Sequence, residues 1–401
     1  MKIALVSVHA DPLATLGGAD AGGQNVHVAA LAAGLARRGH EVTVHTRQDR
    51  TGAASLVHTD GYLVRRHLAG PPTDVPKDDL LQYMPAFGER VREAWRLDRP
   101  DVVHAHFWMS GLASLQATTG TDVPVVQTFH ALGSVKRREQ GRADTSPRSR
   151  IEHERRLCRD VDRVLATCTN EVQELRLMGL ETGRATVIPC GVDTDLFRPG
   201  PRRDPGGPPR ILVLGRLVPR KGISTVVEAL AQLPGVELVV AGGPRPDALD
   251  ADPMVAQVRS RAESLGVSDR VVFVGGVSRR EVPGLVRDSD VVVTVPWYEP
   301  FGIVPLEAMA CGRPVVGTAV GGMLDTVVPG LTGELVPPRN AEALAAEVAG
   351  LLADPDRCAR YGVAARHRAV QRYDWRRVVH QTELAYRAVV GASARPTTEV
   401  S

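Results

Sequence analysis

Aromatic residues make up only 4% of this 401-residue chain. That scarcity argues against a platform on which successive nucleic-acid bases stack. No stretch approaches the roughly 18 apolar residues of a membrane span. Charge of one sign is also lacking. The formal net charge is +3, and no block of five or six like charges occurs, so no charged tail is expected. Cysteines are few: Cys158, Cys168, Cys190, Cys311 and Cys358 stand apart, with no CxxC spacing. So sparse and odd a set reads as free thiols in a reducing compartment, not as a disulfide framework or a zinc site. Neither GxGxxG nor the P-loop GxxxxGK[ST] is present. Met1-Lys2 leads straight into the apolar Ile3–Val8, so no secretory leader is expected, and the cytoplasm is the expected location.

What is present is a globular composition, 43% hydrophobic and 24% charged. The length suits two or three domains at about 150 residues each. Strand-like and helix-like segments alternate. In the first half the predicted strands are Lys2–Val8, Val42–Val44, Val102–His104, Val123–Thr128, Arg163–Thr167 and Thr186–Ile188. Helices are predicted at about Asn25–Arg38 and Ser149–Cys158. Arg198–Pro209 reads RPGPRRDPGGPP and has no apolar periodicity, which marks a linker. The alternation then restarts. Strands are predicted at Arg210–Leu214, Val236–Ala241, Arg270–Val274, Asp290–Val295 and Pro314–Gly317. Helices are predicted at Ser224–Leu233, Met254–Leu265, Glu281–Arg287 and Ile303–Cys311, and the tail from Ala341 to Val390 reads as helical, with breaks near Asp354-Pro355 and Asp374-Trp375. Such a pattern predicts α/β architecture with parallel sheets, in two Rossmann-like domains facing an interdomain cleft. The expected boundaries are 1–195, a linker 196–209, 210–372, and a segment 373–401 that crosses back to the first domain.

The stretch Trp297–Gly312, WYEPFGIVPLEAMACG, holds two carboxylates, Glu299 and Glu307, separated by seven residues. Glu299 follows an apolar strand, and Glu307 lies in the next helix. Backbone N–H groups around Phe301, Gly302 and Ile303 open that helix and can hold an anion or sugar hydroxyls. In Gly215–Gly222, GRLVPRKG, Arg216 and Lys221 can converge on a diphosphate and stabilise it as it leaves. Arg220 reads as surface.

In the first half, Gly17-Gly18 and Gly22-Gly23 precede a helix, where backbone can approach a ligand closely. His130 ends an apolar strand, where cleft residues belong. His104 and His106 have the look of a metal pair but lack a third ligand at useful spacing, so no metal site is expected. Arg37-Arg38 and Arg65-Arg66 read as solvated faces. Lys136-Arg137-Arg138 reads either as plain surface or as a phosphate or membrane contact.

Together these residues resemble the retaining family-4 glycosyltransferases of GT-B fold, over essentially the whole chain. The N-terminal stretch His9…Pro12-Leu13…Asp20–Val26 is closest to the inositol-phosphate glycosyltransferases of that family, with sucrose-phosphate synthases as cousins. The resemblance implies that Arg216 and Lys221 hold the donor diphosphate, Glu299 the donor sugar and Glu307 the ribose. Backbone at Gly23 approaches the diphosphate, and His130 lies near the transferred sugar. His130, Glu299, Arg216 and Lys221 are then the catalytic set. On the acceptor side it implies His9, Asn25, Lys77 and Arg150, with Phe107 where the family has Tyr and Ala131 where it has Thr. It also implies retention of configuration, no metal and no cofactor beyond the nucleoside-diphosphate sugar, which is a substrate.

The function expected is hexosyl transfer from a UDP- or GDP-sugar to a small polar acceptor, such as an inositol or sugar phosphate. Rival readings are a lipid-acceptor transferase at a membrane surface, a sugar-nucleotide epimerase and a non-catalytic nucleotide-sugar sensor. Nucleic acid is not an expected partner; a homodimer and peripheral membrane contact are left open.

Overall fold

The computed structural model describes residues 1–14, 22–59, 61–201 and 206–393. Gly17-Gly18, Asp20-Ala21 and part of the Arg198–Pro209 linker therefore lie outside the described residues. The chain divides into two compact units. The first runs to Pro189 and takes up the chain again from Trp375; the second is Cys190–Asp374.

The first unit is built on an eight-stranded sheet. Its strands are β1 (Lys2–Val6), β2 (Glu41–Arg47), β3 (Leu56–His58), β4 (Leu63–His67), β5 (Val102–His106), β6 (Val125–Thr128), β7 (Arg163–Ala166) and β8 (Ala185–Val187). They lie in the order β3-β4-β2-β1-β5-β6-β7-β8. All pairings are parallel except β3 with β4. Alternation along β1 explains why both faces are covered. Ala4 and Val6 join Phe87, Trp108, Phe129 and Leu157 on one face. Ile3 and Leu5 join Leu31, Leu35, Val379 and Tyr386 on the other.

Helix Trp375–Ser393 thus completes the core of the first unit. Gly34 permits its close approach, since a Cβ there would lie 2.4 Å from Val379 Cγ2. Tyr386 fixes it to the sheet through His104. The Thr128 hydroxyl donates to the Leu165 carbonyl at 2.9 Å, so it accepts from His104 Nε2 at 2.9 Å. With its proton on Nε2, the neutral His104 ring accepts at Nδ1 from the Tyr386 hydroxyl at 2.7 Å.

The second unit has six parallel strands: β9 (Arg210–Leu214), β10 (Glu237–Ala241), β11 (Val271–Gly275), β12 (Val291–Thr294), β13 (Val315–Thr318) and β14 (Gly333–Val336). Their order is β11-β10-β9-β12-β13-β14. This is the doubly wound Rossmann order, with its switch point between β9 and β12. Cys190, Val192 and Phe197 are buried in this unit's core beside Tyr373.

Both units are α/β with parallel sheets, as the alternation predicts. Several details differ from the expected list. The first strand stops at Val6, and the edge hairpin β3–β4, helix Met84–Leu97, helix Trp108–Thr118 and β14 are additional. Arg66 is not solvated: it is buried, with its guanidinium 2.8 Å from Asp11. The five cysteines are all buried. Among the described residues, no helix is long and apolar enough to cross a membrane.

Candidate functional site

In the first unit candidate residues follow β1, β5 and β6, and in the second they follow β9 and β12, the two strands that flank the switch point. Parallel sheets bind ligands there because connections on either side diverge and leave strand ends uncovered.

In the second unit the loop after β9 carries Arg216 and Lys221, and the loop after β12 carries Glu299. Lys221 Nζ lies 2.6 Å from Glu299 Oε2. The two motifs, 78 positions apart, are thus in direct contact. Gly222 makes this contact possible. Its φ is +72°, and a Cβ would stand 2.2 Å from the Val295 carbonyl oxygen at the end of β12. The Trp297 N–H donates to the Arg220 carbonyl at 2.8 Å and binds the loops together. The other Glu299 oxygen accepts from Phe301 N–H at 3.4 Å. Gly302, at φ 71°, caps helix Ile303–Ala310, which carries Glu307 one turn in.

The two carboxylates sit in opposite electrostatic settings. Burial disfavours the charge of Glu299, but the Lys221 ammonium and then the Arg220 guanidinium outweigh it. Its carboxyl is held down to about 2. Burial also lowers Lys221 from the ordinary lysine range, against the pull of Glu299. Glu307 is buried with one cation, Arg279, 2.9 Å away. There burial prevails over the Arg279 charge, and the carboxyl is pushed up to about 7.

Arg220 is not plain surface. It is half-buried, its Cζ lies 5.2 Å from the Tyr298 ring centroid, and its charge acts on both Lys221 and Glu299. Arg279 gave no signal in the sequence, because nothing local to Ser278-Arg279-Arg280 points to a carboxylate 28 positions on.

In the first unit, His9 follows β1, Phe107 follows β5 and His130 follows β6. Phe107 (φ 77°) and His130 (φ 64°) both carry positive φ without being glycine. Such backbone is strained and concentrates at functional loops. Phe107 is the hub of the acceptor-side candidates. Arg150 Cζ lies 5.0 Å and Lys77 Nζ 5.9 Å from its ring centroid, and the His9 ring meets it edge-on at 4.7 Å. Burial first, then Lys77 and Arg150, lower His9 to about 3. Burial likewise holds His130 well below the usual histidine range. Both rings are neutral. His130 Nε2 is 2.9 Å from His106 Nδ1.

Arg150 and Asn25 are largely engaged within the unit. Arg150 is buried with Glu154, Nε to Oε1 2.8 Å, and also donates to Ser146 Oγ and the Ala131 carbonyl. Glu154 in turn accepts from Gly133 N–H at 2.9 Å, which fixes the turn after His130. The Asn25 amide accepts from Gly22 N–H at 3.0 Å and donates to the Asp11 carbonyl at 2.9 Å. It ties Asp11 and Gly22 to the start of helix Gly23–Arg37, where the Gly23 backbone sits. The basic triplet is ion-paired too: Lys136 and Arg137 with Asp144, and Arg138 with Glu174. No group of three metal-ligating side chains occurs among the described residues.

A family model described as glycosyl transferases group 1 matches residues 199–368, and one described as glycosyltransferase family 4 matches residues 21–196. D-inositol 3-phosphate glycosyltransferases of Mycobacterium bovis and Mycobacterium tuberculosis are 35% identical to this chain, covering 97% of it and 84% of their own length. Among solved structures, a sucrose-phosphate synthase from Thermosynechococcus elongatus matches with a TM-score of 0.89 at 33% identity, over 98% of this chain and 99% of that one. The Anabaena HepE protein, crystallised with UDP and glucose, shares the fold, with a TM-score of 0.74 at 21% identity over 97% and 100% of the two chains.

Proposed function

Since the chain belongs to the group 1 and family 4 glycosyltransferases and has their GT-B fold, we propose that it moves a hexosyl group, with retention, from a UDP- or GDP-sugar to a small polar acceptor. Inositol phosphates and sugar phosphates are the acceptor class to which this reading commits. The observation that carries it is the Lys221–Glu299 contact, which unites the cationic loop with the two-carboxylate motif at one sheet edge.

In this reading Arg216 and Lys221 neutralise the diphosphate as the bond from the anomeric carbon to its oxygen breaks. Charge develops there in the transition state, so fixed cations lower the barrier. The acceptor hydroxyl oxygen forms the new bond on the same face. Its proton passes to the departing phosphate oxygen, so no protein base, metal or cofactor is required. Glu299, ionised at neutral pH, accepts hydrogen bonds from the donor sugar, and Glu307 accepts them from the ribose. Amides at Phe301, Gly302 and Ile303 supply donors to the sugar or phosphate, and the Gly23 backbone lies against the diphosphate. His130, neutral, hydrogen-bonds a hydroxyl of the transferred sugar. His9, Asn25, Lys77 and Arg150 serve the acceptor. The Arg150 guanidinium is also shared with Glu154.

The names of the closely similar proteins, an inositol-phosphate transferase and a sucrose-phosphate synthase, support a phosphorylated acceptor or product. The ion-paired state of Lys136, Arg137 and Arg138 weighs against a lipid surface. The test is product analysis by NMR with UDP- and GDP-hexoses, phosphorylated and unphosphorylated acceptors, and a metal chelator. An α-linked product from an α-donor, at the same rate in chelator, is expected. Inversion, metal dependence, or a changed donor sugar without nucleotide release would refute the proposal.

A further inference from the structure

Two arginines from distant segments hold the two aromatic residues immediately before Glu299. Arg339 Cζ lies 4.2 Å from the Trp297 ring centroid, and Arg220 Cζ lies 5.2 Å from that of Tyr298. The Trp297 N–H also donates to the Arg220 carbonyl at 2.8 Å. Arg339 reaches Trp297 from the loop after β14, with φ at 59°. Glycine would occupy that conformation without strain. The next residue, Asn340, caps helix Ala341–Leu352 by accepting from Ala343 N–H at 2.9 Å. An exposed cation–π stack contributes little to folding. Set against the backbone strain, the Arg339–Trp297 stack has little net effect on stability. Its effect falls on the loop it pins.

We propose that Arg339, together with Arg220, is a positioning residue that acts through Trp297 and Tyr298 to fix Glu299 for the sugar of the donor. The proposal rests on the donor-site reading given above. The planar guanidinium matters, because a lysine ammonium cannot stack on an indole in the same way. In that reading the nucleoside diphosphate is held by Arg216, Lys221 and Glu307, outside the Trp297-Tyr298 pair, so its affinity should respond to the stack less than transfer does.

The experiment compares wild type, Arg339→Gly and Arg339→Lys in three measurements: melting temperature, affinity for UDP or GDP, and kcat for transfer from the corresponding nucleotide sugar. Arg339→Gly is expected to melt at or above the wild-type temperature and to bind the nucleoside diphosphate normally. Its kcat is expected to fall by about tenfold to a hundredfold, as for a group displaced by a fraction of an ångström to one ångström. Arg339→Lys should fall between the two. Wild-type kcat in Arg339→Gly would overturn the proposal. So would nucleoside-diphosphate affinity and melting temperature dropping together, which is the mark of a structural role alone. A wild-type protein that binds no nucleoside diphosphate would overturn the donor-site reading, and this proposal with it.

Discussion

Glu299 and Glu307 belong to one short motif, yet their surroundings drive them apart. Glu299 has the Lys221 and Arg220 charges beside it and stays ionised. Glu307 is buried against one arginine and titrates near 7. Two carboxyls separated in this way take different tasks. The sign for Glu307 follows from its proposed role. Ribose hydroxyls donate to the carboxylate, so the ionised form binds, and affinity rises as the proton leaves. Affinity for a nucleotide sugar, whose diphosphate does not titrate in this range, should therefore rise from pH 6 to pH 8. The limiting slope below 7 is about tenfold per pH unit. Glu307→Gln should bind more weakly and show a flat profile, measured by calorimetry. A flat wild-type profile would contradict the assignment. The residues legible in the sequence are those whose chemistry is written in consecutive positions: Arg216 and Lys221 in one loop, Glu299 and Glu307 in one turn and helix. Arg220 and Arg279 were not legible, because their meaning comes from partners supplied by other strands.

Elements were legible where burial on both faces gives continuous Val, Ile and Leu runs, as in β1, β9 and β12. The hairpin β3–β4 was not. Leu56–His58 is an edge strand with mostly exposed residues, so no apolar alternation announces it. Helix Met84–Leu97 does carry a helical stripe in Met84, Phe87, Val91 and Trp95. The role of helix Trp375–Ser393 is visible only in three dimensions, where Tyr386 reaches His104 on the central strand β5. Tyr386→Phe would leave His104 Nδ1 buried with no donor. It should cost the first unit about 1–3 kcal/mol, read from chemical denaturation. An unchanged midpoint would mean that the bond contributes nothing to anchoring the helix.

On the scale of the whole molecule, the burial of histidines is unequal between the units. Burial lowers His9 to about 3, His27 and His67 to about 4, and His45, His104, His106 and His130 well below the usual range, all in the first unit. The histidine of the second unit, His367, is exposed. A base whose folded pKa is depressed takes up its proton more readily when unfolded. Stability is therefore intact above the unfolded value and falls as pH drops from about 6.5 toward the folded values, by up to about 1.4 kcal/mol per histidine per pH unit. Calorimetry at pH 7.5 and 5.5 should show the melting of the first unit shifting down while that of the second does not fall, since folded Glu307, with its carboxyl at about 7, takes up a proton over this range and gains stability. Equal shifts would contradict this distribution. The two α/β units themselves were legible from alternation alone. The acid-sensitive core was not, because a histidine in a strand looks the same in sequence whether it is buried or exposed. The measurement that bears most directly on function is the single-turnover rate of hexosyl transfer in Arg216→Ala and Lys221→Ala, with folding checked by circular dichroism. If fixed cations stabilise the leaving diphosphate, each should lose about a hundredfold to a thousandfold while remaining folded. Transfer at the wild-type rate in either variant would contradict the account.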